Sequence, residues 1–160
     1  MSPKSSKYKS WRDKLENPLE GLPKIVDVPV KWQKQMGGRK ILVPTPMLVD
    51  ERIRKVRKGK LVTTGQIRKD IAKEFKADSA CPMTVGIFLR ISSETAEEDR
   101  QKGKKRITPY WRVVKDDGSL NPKFPGGVKA QAEKLRKEGH KITSGRSKTK
   151  LKVQDFEKSL

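Results

Sequence analysis

"LVTTGQIRKDIAKEFKADSACPMTVGIFLR", residues 61–90, is the stretch on which the fold turns. Thr63 followed by Gln66 fits a capping box, in which a hydroxyl and an amide satisfy free backbone N–H groups at a helix start. Ile67, Ile71 and Phe75 then fall at i, i+4 and i+8, which predicts a helix over 64–76. "ADSAC" reads as a short turn, and Pro82 suits the first position of a second helix. Along that second helix Val85, Phe88, Leu89 and Ser92 share one stripe. Two helices joined by a short turn predict a helix-turn-helix.

The flanks extend this unit. "PMLVDERIRKVRKGK" places Leu48, Ile53 and Val56 roughly on one side of a helix that stops at Gly59. Pro18, Pro23, Pro29, Pro44 and Pro46 argue against a long helix further upstream, where Ile25, Val28 and Val30 form one extended piece and residues 40–43 another. Downstream, "ITPYWRVV" reads as a strand and Asp116-Asp117-Gly118 as its turn. "GGVKAQAEKLRKEGHKI" reads as a helix with Val128, Ala132 and Leu135 on one face and Gly139 as its C-terminal cap. The end reads as a β-hairpin with a basic tip and a closing turn packed through Phe156. The expected class is α+β, mainly α: a winged-helix-like helix-turn-helix domain with a short strand or hairpin and a basic N-terminal extension. The expected organisation is a flexible basic tail over 1–14, an extension wrapping the domain over 15–47, the domain itself over 48–142, and the closing hairpin over 143–160.

The 160 residues carry 39 Lys and Arg against 19 Asp and Glu, a net charge of +20. Such a charge repels itself and is best neutralised by a polyanion. A membrane surface fits less well, because no long apolar face recurs at helical spacing. Cys81 and His140 are the single cysteine and the single histidine. That excludes an internal disulfide and a usual zinc site. A Ser-His or Cys-His pair would have to use these single copies, and no motif marks either. No cofactor or metal is expected. Neither a membrane-spanning apolar run nor a signal-peptide core is present, and the expected location is the cytoplasm, at the nucleoid.

The stretch from Ile107 to Ile142 resembles the C-terminal segment of the alkylguanine-DNA alkyltransferases, also called methylated-DNA–protein-cysteine methyltransferases. That family carries Pro-Cys-His-Arg-Val, a Gly turn, an aromatic, Gly-Gly, a helix and Glu-Gly. The matching positions are Pro109, Tyr110, Trp111, Arg112 and Val113, then Gly118, Phe124, Gly126, Gly127, Glu138 and Gly139. Upstream, "GKLVTTGQI" is similar to the opening of the family's first helix-turn-helix helix, and Val85-Gly86 fits its second. The resemblance spans residues 48–142. It implies a helix from Pro82 placed in the minor groove and a pocket for an extruded base.

The departures bear on activity. Alkyl transfer needs a cysteine thiolate as acceptor. Tyr110 and Trp111 stand at the positions of that cysteine and its histidine. A phenol, with a pKa of about 10, is a poor substitute, and indole has no basic nitrogen. The arginine that fills the vacated stack falls at Met83, and the tyrosine that presses on the target phosphate falls at Thr64. The family includes alkyltransferase-like proteins that lack the cysteine, bind damaged DNA without repairing it and mark it for other factors. The resemblance therefore implies a non-enzymatic DNA-binding protein of that kind, linked to DNA repair.

The candidate DNA contacts are Thr64, Gln66, Arg68, Lys69, Pro82, Met83, Thr84 and Arg90. Met83 is either an apolar wedge between base steps or a core filler. Arg68, Lys69 and Lys73 face phosphates or only water. The candidate base pocket is Tyr110, Trp111, Arg112, Phe124, Pro125, Gly126 and Gly127. Strand alternation lets at most one of Tyr110 and Trp111 face a pocket; Tyr110 is the pocket candidate and Trp111 the core candidate. Phe124 to Gly127 form either a pocket loop or a helix-entry turn, and Arg112 is either structural or ligand-binding. The expected partner is duplex DNA, alkylated or mismatched, bound by a monomer. RNA or ribosome binding, and a module that recruits a protein such as a repair factor, are the alternatives.

Overall fold

A computed structural model of the chain describes residues 8–144 and 150–160. The first helix, α1 (Trp11–Glu16), starts at Ser10, whose Oγ accepts the Asp13 N–H at 3.0 Å. Backbone N–H groups of Trp11 and Arg12 donate to the Glu98 carboxylate at 2.8 and 3.2 Å, and Leu15 is buried. The flexible tail expected over 1–14 therefore does not reach residue 14. Its composition hides the cap at Ser10 and the anchor at Glu98; residues 1–7 lie outside the described ones. Strand β1 (Lys24–Asp27), helix α2 (Val30–Met36) and strand β2 (Lys40–Val43) follow. β1 and β2 pair antiparallel from Lys24↔Val43 to Asp27↔Lys40. Val30, expected in an extended piece, instead begins α2.

Helix α3 (Pro46–Arg54) is capped by Thr45, with Pro46 in its first turn. It turns Val49 and Ile53 inward and ends before Val56. The helix-turn-helix comes next: β3 (Val62–Thr63), α4 (Thr64–Glu74), β4 (Ser79–Ala80) and α5 (Pro82–Gln101). Both halves of the expected capping box form, Gln66 N–H to Thr63 Oγ1 at 3.1 Å and Thr63 N–H to Gln66 Oε1 at 2.9 Å. β4 joins β2 in parallel, Ile41↔Ser79 and Leu42↔Ala80, so the chain enters α5 from a three-stranded sheet.

The strand expected over "ITPYWRVV" is mostly a turn. Tyr110–Arg112 form one turn of 3-10 helix, and strand β5 is only Val113–Val114, parallel to β3. Helix α6 (Gly127–Lys137) and the hairpin β6 (Ile142–Ser144) and β7 (Leu151–Val153) complete the fold, with Phe156 buried in a closing 3-10 turn. The expected basic hairpin tip, residues 145–149, lies outside the described residues. The molecule is α+β and mainly helical. One apolar cluster, including Leu42, Val49, Ile67, Ile71, Val85, Leu89, Tyr110 and Phe124, underlies the helix-turn-helix. A second, including Leu61, Val114, Leu135, Val153 and Phe156, underlies the hairpin, and Trp111 packs against both. No described helix is long and apolar enough to cross a membrane.

Candidate nucleic-acid interface

Helix α5 buries Val85, Leu89, Ser92 and Ala96, one side of the helix. The opposite side presents Met83, Gly86, Ile87 and Arg90, spaced i, i+3, i+4 and i+7. Met83 is 74% exposed and Ile87 59%, so Met83 fills no core. A Cβ at Gly86 would meet nothing within 4 Å. The twelve residues from Pro82 to Ser93 contain no carboxylate. The acids of α5, Glu94, Glu97, Glu98 and Asp99, all follow this stretch, and the last three are used within the molecule. Glu97 accepts from Tyr110 and Arg100, Glu98 holds the start of α1, and Asp99 pairs with Arg12 and Lys104.

The expected contacts on α4 divide. Lys69 and Lys73 are exposed. Arg68 is not a free cation. Its Nε donates to Ala80 O at 3.0 Å, and its Nη2 donates to Met36 O at 3.2 Å and Ser79 Oγ at 3.1 Å. It clamps α4 to the end of α2 and to the strand that leads into α5. Gln66 is engaged in the capping box. Thr64 and Gly65 face Asp116: the Gly65 N–H donates to Asp116 Oδ1 at 2.8 Å, and the Thr64 hydroxyl lies 3.5 Å from the same oxygen. A carboxylate thus occupies the positive end of α4 and disfavours a phosphate there. Asp116, read from sequence only as a turn residue, is the group that sequence reasoning missed; a two-residue acidic pair before Gly118 carried no sign of its target.

The expected base pocket is mostly core. Tyr110 is 1% exposed and Phe124 2%. Their rings meet edge-on at 5.3 Å, and Trp111 packs edge-on against Tyr110 at 5.4 Å. The Tyr110 hydroxyl donates to Glu97 Oε2 at 2.9 Å. Burial first, and then this bond to a carboxylate, push the phenol pKa well above its ordinary value. The 3-10 turn replaces strand alternation and reverses the expected roles: Tyr110 points inward, and Trp111 is the one left half-buried beside an open cleft of about 570 Å³ lined also by Arg54, Lys105, Arg106 and Ile107.

Trp111 Nε1 and Arg112 converge on one carboxylate. The indole donates to Glu138 Oε2 at 3.0 Å, and Arg112 grips Glu138 with Nε at 2.9 Å and Nη2 at 2.8 Å. Arg112 Nη1 also donates to Val56 O. Burial works against the charge on Glu138, but the bonds from Arg112 and Trp111 outweigh it and hold its pKa below the usual glutamate value. Arg112 is structural. Gly126 and Gly127 have positive φ, +80° and +73°, and a Cβ on Gly126 would come within 2.5 Å of Ala130 Cβ. Together with the half-buried Pro125 they form the entry turn of α6. Cys81 stands just before α5, whereas Tyr110 meets that helix at Glu97, about 22 Å further along its axis. No group of three or more His, Cys, Asp or Glu that could hold a metal is found among the described residues.

Two crystal structures of DNA complexes have this architecture. S. pombe Atl1 in complex with damaged DNA containing O6-carboxymethylguanine superposes with a TM-score of 0.51 at 17% identity, over 72% of this chain and 92% of that one. S. pombe ATL in complex with DNA gives the same TM-score and coverage at 16% identity. The chain shares their fold. No protein-family model matches it, and no curated protein matches it significantly in sequence.

Proposed function

We propose that this chain is a non-enzymatic, alkyltransferase-like protein that binds damaged duplex DNA and serves DNA repair, with the exposed face of α5 in a groove. The observation that carries the reading is that face. It is a helix side free of carboxylates over its first twelve residues, in a helix-turn-helix of a chain with net charge +20. The likeness to Atl1 bound to damaged DNA supports the same ligand. Met83, Thr84, Gly86, Ile87 and Arg90 are the assigned groove contacts, with Lys69 and Lys73 toward the phosphates. The non-enzymatic reading is supported by Tyr110, a buried phenol hydrogen-bonded to a carboxylate, with its pKa raised, and so a poor alkyl acceptor.

The test compares a duplex carrying one O6-alkylated guanine, the unmodified duplex and RNA of the same sequence. The expected order is alkylated DNA, then plain DNA, then RNA, with protein mass unchanged after incubation. Tighter binding to RNA, which would reflect 2′-hydroxyl contacts, or a gain of one alkyl group on the protein, would overturn the proposal.

A further inference from the structure

Helix α2 is seven residues long, VKWQKQM, and none of them is buried. A helix this short is marginal in water, and most helices are held by an apolar face packed on a core. Here polar anchors do that work. The Gly37 and Gly38 N–H groups both donate to Gln33 O at 2.9 Å, Gln33 Nε2 reaches back to Val28 O, and Arg68 binds Met36 O. Gly37 is left-handed, and a Cβ there would lie 2.9 Å from Ser79. The anchoring leaves the apolar side chains outward: Val30 is 83% exposed and Trp32 48%.

The charge around them is mainly positive, and the nearby Asp78 carboxylate is occupied by the Arg39 and Lys40 N–H groups. Lys31 Nζ lies 5.5 Å from the Trp32 ring centroid. Asp27 is the single carboxylate between Lys24 and Lys40, and it is taken by Arg39 and Lys40. Lys24, Lys31 and Lys34 have no carboxylate partner among the described residues. An exposed aromatic ringed by free cations is the chemistry of single-strand sites, where bases stack on rings and phosphates meet ammonium groups. A lipid surface would need a wider apolar face than Val30 and Trp32 supply.

We infer that α2 is a stacking platform for an unpaired base of a DNA strand, with Trp32 carrying the base and Lys31 and Lys34 its phosphates. The inference rests on the DNA-binding reading above and adds to it a place for a displaced base, which the Tyr110–Phe124 core does not offer. Arg68 fixes the platform to Ala80, two residues before α5, so both contacts share one frame.

The experiment measures binding of the full chain to a single-stranded oligonucleotide, a duplex with a one-base bulge and a plain duplex, for wild type, Trp32→Ala and Trp32→Phe. Trp32→Ala is expected to weaken single-strand and bulge binding by about tenfold or more while leaving plain-duplex binding within about twofold, and Trp32→Phe to recover most of the loss. Because no residue of α2 is buried and Trp32 is about half exposed, the variants are expected to fold as wild type. Unchanged single-strand and bulge binding by Trp32→Ala, or an equal loss on plain duplex, would overturn the platform. Displacement of the oligonucleotide by polyglutamate as readily as by nucleic acid of equal charge would assign α2 to an acidic protein and overturn it too. Failure of wild type to bind plain duplex strikes the function proposed above, a separate result from any difference at Trp32.

Discussion

Tyr110, at the position where the resemblance expects an acceptor cysteine, is a packing residue. The added ring closes an aromatic contact with Phe124 and Trp111, and its hydroxyl supplies a partner to a half-buried Glu97. Residue and surroundings are packed as core. Tyr110→Ala is therefore expected to lower unfolding free energy by about 3–5 kcal/mol, the range for truncating a buried aromatic. Tyr110→Phe keeps the ring and loses one hydrogen bond, while Glu97 retains Arg100, so about 1 kcal/mol is expected. Urea unfolding measures both. DNA affinity of Tyr110→Phe is expected to match wild type; a selective loss of lesion binding without loss of stability would return Tyr110 to a pocket.

At the scale of elements, α5 is the test piece, because its inner side is core while Met83 and Ile87 on its outer side are exposed and Arg90 there meets another element, over the Trp11 ring. Replacing Met83 and Ile87 together by Asp is expected to change stability by no more than about 0.5 kcal/mol per site, as for other exposed positions. Against a polyanion the same change places two carboxylates on a face that has none, and duplex affinity is expected to fall by more than tenfold. Calorimetry on the variant and a binding titration separate the two effects; retained affinity would move the interface off α5. The elements themselves were legible where periodicity is long. The pair α4 and α5, with the Thr63–Gln66 box and Pro82 at a helix start, follows from local spacing alone, as do α6 and the closing hairpin. Helix α2 was not legible, because seven residues with no buried side give no stripe and its stability comes from Arg68, far away in sequence. The turn at Tyr110–Arg112 was hidden for a related reason. "YWRVV" has the composition of a strand, and only pairing of Val113 with Val62 shows where the strand begins. That one misread element interchanged the expected roles of Tyr110 and Trp111. The role of Arg68 was equally out of reach, since it depends on β2 and β4 lying side by side.

For the whole molecule, the question is how much of the net charge of +20 is free to meet a polyanion. Many of the carboxylates are spent inside. Asp50 holds Thr108 and Arg54, Asp70 and Glu74 hold Arg52, Asp99 holds Arg12, Glu138 holds Arg112, and Asp78 and Asp116 accept backbone N–H groups. These acids fix the fold, while Lys31, Lys34, Lys69 and Lys73 have no ion-pair partner among the described residues. Binding that releases condensed counterions then gives log affinity linear in log salt, with slope about −0.9 per phosphate neutralised. If about six phosphates are met, the slope is about −5 and affinity falls roughly a thousandfold between about 50 and 200 mM salt. The proposed groove face of α5, with only Arg90 as a cation, is expected to contribute little to that slope, and the contacts proposed for Met83 and Ile87 to act on the salt-independent part. Substituting Lys31, Lys34, Lys69 and Lys73 by Gln is accordingly expected to make the slope shallower by about one for each lysine that meets a phosphate. A slope unchanged in this variant would place the phosphate track elsewhere on the molecule, and a flat salt response in wild type would rule out nucleic acid as the polyanion.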